Sequence, residues 1–172
     1  IGYIRDSKIS DIGQKEETAP EFTEPEYTSI SKDYKINMTW HQVTNMEANN
    51  YLLNKIADAK GLTTISPTWF SIADTDGNIS SLASQSYVTY AHQQGLEVWG
   101  LVDNFKDGVS TYETLSRTSS RQRLVNQLTA AAVQYGLDGI NVDFELITQD
   151  CARAYIEFIR ELSIMCRING IV

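Results

Sequence analysis

The chain has 172 residues, with 14 Lys and Arg against 22 Asp and Glu and a formal net charge of −8. That length suits one domain with a real core. The acidic balance leaves no basic stripe to displace phosphate counterions, which excludes a nucleic-acid partner, and no apolar run approaches the roughly 18 residues of a membrane-spanning helix.

In chain order, residues 1–34 stand apart. The chain opens on Ile1 with neither a charged nor an apolar leader region, so any signal peptide is expected to lie outside it. Ile1-Gly2-Tyr3-Ile4 reads either as the last strand of a preceding module or as a frayed end. From Asp11 to Glu26 come six acidic residues, one Lys, Pro20 and Pro25, with no sustained apolar period, which reads as a linker or extended arm.

From Lys35 onward a repeat is visible. Four times a helical segment ends in Gly followed by Leu or Ile and an extended stretch, at Gly61, Gly95, Gly136 and Gly170. The spacings of 34, 41 and 34 residues suit successive strand-plus-helix units, and Gly just past a helix end supplies the left-handed cap that other residues resist. Strands are expected near residues 36–43, 62–70, 96–103 and 139–145. Apolar residues at three-and-four spacing mark one helix through Leu124, Leu128, Ala132 and Tyr135, capped by Ser119 or Ser120, and another through Tyr155, Phe158, Leu162 and Cys166. Residues 46–59 and 82–94 are weaker helices. Such alternation predicts an α/β fold with a parallel sheet and right-handed crossovers. An open doubly wound sheet and a (β/α)8 barrel both fit. A barrel takes about 250 residues, so residues 35–172 would hold only about its first four units.

Metal and disulfide chemistry find no footing. Cys151 and Cys166, on one helix, are separated by about 22 Å at 1.5 Å per residue, too far to pair. His41 and His92 are remote from each other and from either Cys, so no zinc spacing exists. Asp74-Thr75-Asp76-Gly77-Asn78 has its Gly at the wrong place for a calcium loop and reads as a tight turn. The Asn-x-Ser/Thr sites at Asn37 and Asn78 read as chance. No phosphate loop or dinucleotide fingerprint occurs, and no cofactor is expected.

The informative segment is Asp138-Gly139-Ile140-Asn141-Val142-Asp143-Phe144-Glu145. Ile140, Val142 and Phe144 point one way, and Asn141, Asp143 and Glu145 the other. A parallel strand is normally apolar on both faces, so two carboxylic acids on one side would cost several kcal/mol if merely structural. Asp143 and Glu145 have Cα atoms about 6.6 Å apart on one side. Adjacent carboxyls do not both ionise freely, which suits Glu145 to proton donation at a strand's carboxyl end. Ordinary glycosidases place two carboxyls on opposite sides of the scissile bond. Two on one side cannot, so the nucleophile must come from elsewhere, plausibly the substrate.

This segment resembles the D-G-x-D-x-D-x-E signature of glycoside hydrolase family 18. Ser66-Pro67-Thr68-Trp69-Phe70 and residues 98–105 (VWGLVDNF) are similar to strands two and three of its bacterial cell-wall and spore-cortex branch. The resemblance implies a (β/α)8 barrel and retaining, substrate-assisted chemistry, in which the sugar's acetamido oxygen attacks its own anomeric carbon. By position it implies that Glu145 is the acid and base, that Asp143 holds the acetamido group, and that Asp138 supports the base of the ladder. Asn141 stands where Asp is commoner, which points toward the peptidoglycan-cleaving branch. The expected catalytic set is therefore Glu145, Asp143, Asn141 and Asp138.

Around it, Trp69 is the expected aromatic platform, with Trp40 and Trp99 read as core. Asp103-Asn104, ending the third strand, are expected to line the cleft. His41 could reach a sugar, with a hydrogen-bonded structural histidine as the alternative. The expected function is a β-N-acetylglucosaminidase acting on peptidoglycan at the cell envelope. The alternatives are a chitinase and a catalytically silent sugar-binding barrel. A half barrel would be completed by its missing half or by self-association, and would be inactive alone.

Overall fold

Four short, mostly apolar segments form parallel strands, and their registers fix which side chains share a face. The computed structural model describes residues 5–8, 13, 18, 21 and 30–172. The Ile1–Ile4 strand reading and most of the acidic arm lie outside these residues. Strands β1 (Met38–His41), β2 (Thr64–Ile72), β4 (Glu97–Asp103) and β5 (Gly139–Asp143) stand in the order β1-β2-β4-β5, with every neighbouring pair parallel. They fall on the four expected strands, with ends trimmed except that β2 runs two residues further, to Ile72. A fifth element, β3 (Ile79–Ser81), was not anticipated; it folds back antiparallel onto Phe70–Ile72 of β2. The β2–β3 turn is the expected tight one. Asp74 Oδ2 accepts from Asn78 Nδ2 at 2.8 Å and Oδ1 from the amides of Asn78 and Asp76 at 3.1 and 3.0 Å, and these bonds, the Asn78 side chain's foremost, draw the Asp74 carboxyl below its usual range. At the chain's far end Val172 donates to Asp138 O and accepts from Ile140 N–H, both at 2.9 Å, continuing the sheet beside β5.

Each crossover carries helix: α1 (Leu52–Ile56) after a 3-10 turn at Met46–Tyr51, α2 (Gln85–Gln93), α3 (Thr111–Ser116), α4 (Thr118–Tyr135) and α5 (Ala152–Ile168). The repeat of glycines is real in backbone terms: Gly61, Gly95, Gly136 and Gly170 have φ of 72°, 74°, 68° and 68°, the left-handed region where a Cβ is penalised. Gly136 ends α4 by donating to Ala132 O and Val133 O. The capping expectation for α4 fails. Ser110 caps α3 instead, and the chain breaks only at Arg117 before α4 begins at Thr118. Ser119 and Ser120 are thus inside the first turn, and Ser120 is buried. The Arg121 guanidinium locks this junction: it donates to Leu115 O at 2.8 Å and to both Glu161 oxygens at 2.9 Å, tying α3, α4 and α5 together.

The core lies on one side of the sheet. Ile65, Val98 and Val102 are at most 1% exposed and cluster with Val88 and Ala91 of α2, Leu124, Leu128 and Ala132 of α4, and Phe158 and Leu162 of α5. Residues in register with these strands' alternate positions point to the other face, which no described helix covers. Leu101 is buried there, apart from the main core cluster. Trp99 lies across Gly139 on that face, where a Cβ would meet the indole ring at 2.6 Å.

Cys151 and Cys166 are both free and buried. Burial pushes the Cys166 thiol up to about 11, the neighbouring Arg167 charge pulling slightly the other way.

Candidate active site

The helix-free face of the sheet carries the polar residues. Register pairs Trp40 with Ser66, Thr68 with Leu101, Leu101 with Asn141, and Asp103 with Asp143, so all share this face. It is concave. Asn141 Nδ2 donates to Ser66 Oγ at 3.1 Å, although β4 lies between their strands and neighbouring strands are about 4.8 Å apart. The bridge passes over Leu101, which is 2% exposed. At the carboxyl ends of the strands, Asp103 and Asp143 stand opposite each other, both half-buried. Asp103 Oδ1 accepts from the Phe105 amide at 3.2 Å.

Glu145 lies one pleat beyond Asp143 and is exposed. Its backbone is held by Asn104: Glu145 N–H donates to Asn104 Oδ1 at 2.9 Å, and Asn104 Nδ2 donates to Glu145 O at 3.0 Å. The same Nδ2 donates to Thr111 Oγ1 at 2.9 Å. Leu146 follows with φ of 53° and 94% exposure, a left-handed conformation uncommon outside Gly, Asn and Asp.

Asn141, Asp143, Glu145, Asp103 and Asn104 are therefore gathered at one rim, and three other candidates, Asp138, His41 and Trp69, lie away from it. Asp138 stands at the opposite end of β5, about 23 Å from Glu145 at strand rise. Its Oδ2 accepts from the Val98 amide and from His92 Nε2, both at 2.8 Å, so it stitches strand starts together. This is the base of the ladder, where the resemblance placed it. His92, exposed on α2, is its partner. His41 is 4% exposed on the helix side, with Nδ1 2.9 Å from Tyr87 Oη and its ring stacked on Tyr87. Strand alternation is the reason: Trp40 takes the open face, so His41 takes the other. Burial, with a contribution from Lys55, lowers the His41 pKa, and burial raises that of Tyr87.

Trp69 is not a platform either. It is 2% exposed, donates from Nε1 to Asn49 Oδ1 at 2.8 Å and meets Tyr87 edge-on. The β2–β4 register slips between Thr68 and Phe70; this bulge inserts Trp69 and turns both aromatics toward the helices. The tryptophans on the open face are Trp40, 65% exposed, and the half-buried Trp99. Sequence reasoning ranked these the other way. The signal available was the adjacent pair Trp69-Phe70, which strict alternation cannot bury together.

A polar hub at the other end of the open face was also missed. Glu97 accepts from Lys32 Nζ, from Tyr34 and, at 3.0 Å, from Trp99 Nε1. Burial acts to raise its pKa, and the three hydrogen bonds outweigh it and hold the carboxyl below the usual range. Lys32 and Tyr34, assigned above to the acidic arm, are thus tied to the sheet. Among the described residues no group of three or more His, Cys, Asp or Glu side chains is placed to hold a metal ion, and no helix is long and apolar enough to cross a membrane.

Comparison with known proteins places this fold. No protein-family description matches the chain. A Bacillus subtilis protein described as an uncharacterised glycosylase, YvbX, is 26% identical over 96 residues, covering 52% of this chain and 28% of that protein. Among solved structures, the C-terminal domain of a candidate chitinase from Desulfitobacterium hafniense superposes with a TM-score of 0.70 at 16% identity, over 80% of this chain and 44% of that one. The spore cortex-lytic enzyme SleL of Bacillus megaterium gives 0.65 at 18% identity over 82% and 34%. A chitinase from Chromobacterium violaceum gives 0.63 at 19% identity over 79% and 43%. This chain spans less than half the length of each of these proteins, and over that span it shares the mixed α/β fold of the chitinases and the cortex-lytic enzyme.

Proposed function

We propose that the chain carries about the first four units of a (β/α)8 barrel, and that the complete barrel is a retaining, substrate-assisted glycoside hydrolase of the family-18 type. Its bond is the β-1,4 linkage next to N-acetylglucosamine in peptidoglycan. One observation carries the reading: Asp143 and Glu145 follow each other at the carboxyl end of β5, on the helix-free concave face, with Asp103 alongside. That rim is where barrel enzymes assemble their chemistry. The relationship to YvbX and the shared fold support it.

Both carboxyls come from one strand on one side, so they cannot straddle a glycosidic bond. The substrate's acetamido oxygen attacks the anomeric carbon as the bond to the leaving sugar breaks. Glu145 passes its proton to the leaving oxygen. Asp143 accepts from the acetamido N–H and offsets the positive charge of the oxazolinium ring. Glu145 then takes a proton from water, which opens the ring with net retention. Asn141, fixed through Ser66, is neutral and can donate to Asp143 without competing for its proton. Trp40, exposed on the open face, offers an apolar face to a sugar ring. The stretch before Lys32 serves as an arm to a wall-binding module, and the protein works at the cell envelope. Chitin is the second reading, favoured by the chitinases among the structural relatives.

In the full-length protein, Glu145→Gln should lower turnover at least about a hundredfold while glycan binding survives. De-N-acetylated glycan should be refractory in the same assay. Full turnover in the variant, or equal cleavage of both glycans, removes the mechanism.

A further inference from the structure

The β4–β5 ladder ends at the pair Asp103 and Asp143, yet Glu145 remains in extended contact with β4. The contact is a side chain acting as backbone. Asn104 presents one side-chain amide to Glu145 in place of the two peptide groups a continued β4 would supply, accepting from its N–H at 2.9 Å and donating to its C=O at 3.0 Å. A third bond, from the same Nδ2 to Thr111 Oγ1 at 2.9 Å, fixes the amide from the start of α3. Both N–H groups and one carbonyl lone pair of Asn104 are thereby engaged with protein, which leaves it little capacity to bind a sugar. On the other side of Glu145 the chain departs through the left-handed Leu146, at φ of 53°. An exposed side chain is thus carried on a residue whose N–H and C=O are both held by Asn104.

We propose that Asn104 is a positioning residue: its amide clamps the Glu145 backbone and so sets where the Glu145 carboxyl stands relative to the leaving oxygen. This rests on the glycosidase reading above. Proton donation needs heavy atoms within about 3 Å, and a misplacement near 1 Å can cost about a hundredfold. Neither function is available to Asn104→Ala; Asn104→Asp keeps the acceptor for Glu145 N–H and loses both donated bonds.

The experiment has a structural and a kinetic arm, both on the full-length protein. By hydrogen exchange, Asn104→Ala should raise the rate at the Glu145 amide at least about tenfold while the Val142 amide keeps its protection. In the kinetic arm, Asn104→Ala should lower kcat on N-acetylated glycan at least about tenfold with KM within about twofold, and Asn104→Asp should recover part of the loss. The deficit in kcat/KM should shrink on an aryl N-acetylglucosaminide whose leaving group needs no protonation, because that constant reports the bond-breaking step, where Glu145 acts as the acid, and not its later action on water. A general loss of folding would depress both substrates alike. Unchanged exchange at Glu145 overturns the clamp. Unchanged kcat with the clamp broken, or an equal deficit on both substrates, overturns its catalytic role. If wild type cleaves neither substrate while exchange rises as expected, the clamp stands and the glycosidase reading falls.

Discussion

The two faces of one sheet are made by the same strands and obey opposite rules. On the helix side, Ile65, Val98, Val102, Trp69 and Phe70 are at most 2% exposed and interlock with α2, α4 and α5. On the concave side, Trp40 is 65% exposed and Asn141, Asp143 and Asp103 are half-buried among polar partners. The difference teaches that a residue's chemistry does not reveal its duty; the pleat does. Trp40 and Trp69 are the same side chain with opposite fates, and one inserted residue in β2 decides it.

Truncating each of those tryptophans gives the largest test of the comparison. Trp69→Ala empties a packed site and strands Asn49 Oδ1, so it should cost about 3–5 kcal/mol, and at roughly 2–4 °C per kcal/mol for a chain of this size Tm should drop by about 6–20 °C. Trp40→Ala should move Tm by less than about 2 °C, because little of the ring is buried. Glycan binding should respond in the reverse order. Equal Tm losses from the two variants would mean that the open face is packed in solution.

Much of this was legible in the sequence where one interaction dominates. The Gly-Leu/Ile repeat marked four helix ends because a left-handed cap has few alternatives to Gly. The β5 alternation marked the Asp143–Glu145 rim because paired acids on a parallel strand have no bland explanation. What stayed hidden depends on partners distant in sequence. The bulge at Trp69 is a register property of β2 against β4. The duty of Asn104 requires knowing that Glu145 lies beside it, 41 positions away. Asp138 belongs to the resembling motif, yet its bonds to Val98 and His92 are made at the opposite end of the strand. His41 and Asp138 show the same limit: a polar residue near a motif in sequence is not near it in space.

Leu146 sharpens the comparison at the rim itself. Its left-handed backbone costs roughly 1 kcal/mol, and at 94% exposure its side chain gives little back through packing. Leu146→Gly should therefore stabilise the fold, by less than about 1 kcal/mol because Gly also loosens the unfolded chain. A lower urea midpoint for this variant would show that Leu146 is held by contacts instead of strained.

The smallest effect concerns the buried side. His41 is held neutral, its pKa lowered first by burial and then by Lys55, while Tyr87 Oη occupies its Nδ1. In the unfolded chain the same ring takes up a proton near pH 6.5. As pH falls from that value toward the lower folded value, the unfolded state binds more protons than the folded one, and stability declines with acidification. His41→Asn keeps a hydrogen-bonding partner for Tyr87 and cannot titrate. Its urea midpoint should therefore fall less steeply than wild type between pH 6.5 and 5, and the two slopes should coincide above pH 7. No residue of the open face should reproduce this behaviour on substitution, since the effect needs a titratable ring sealed beneath α2. Parallel midpoint curves for wild type and His41→Asn across the whole range would show that His41 can take up a proton in place, and that the helix side is less closed than the packing of Tyr87 and Trp69 implies.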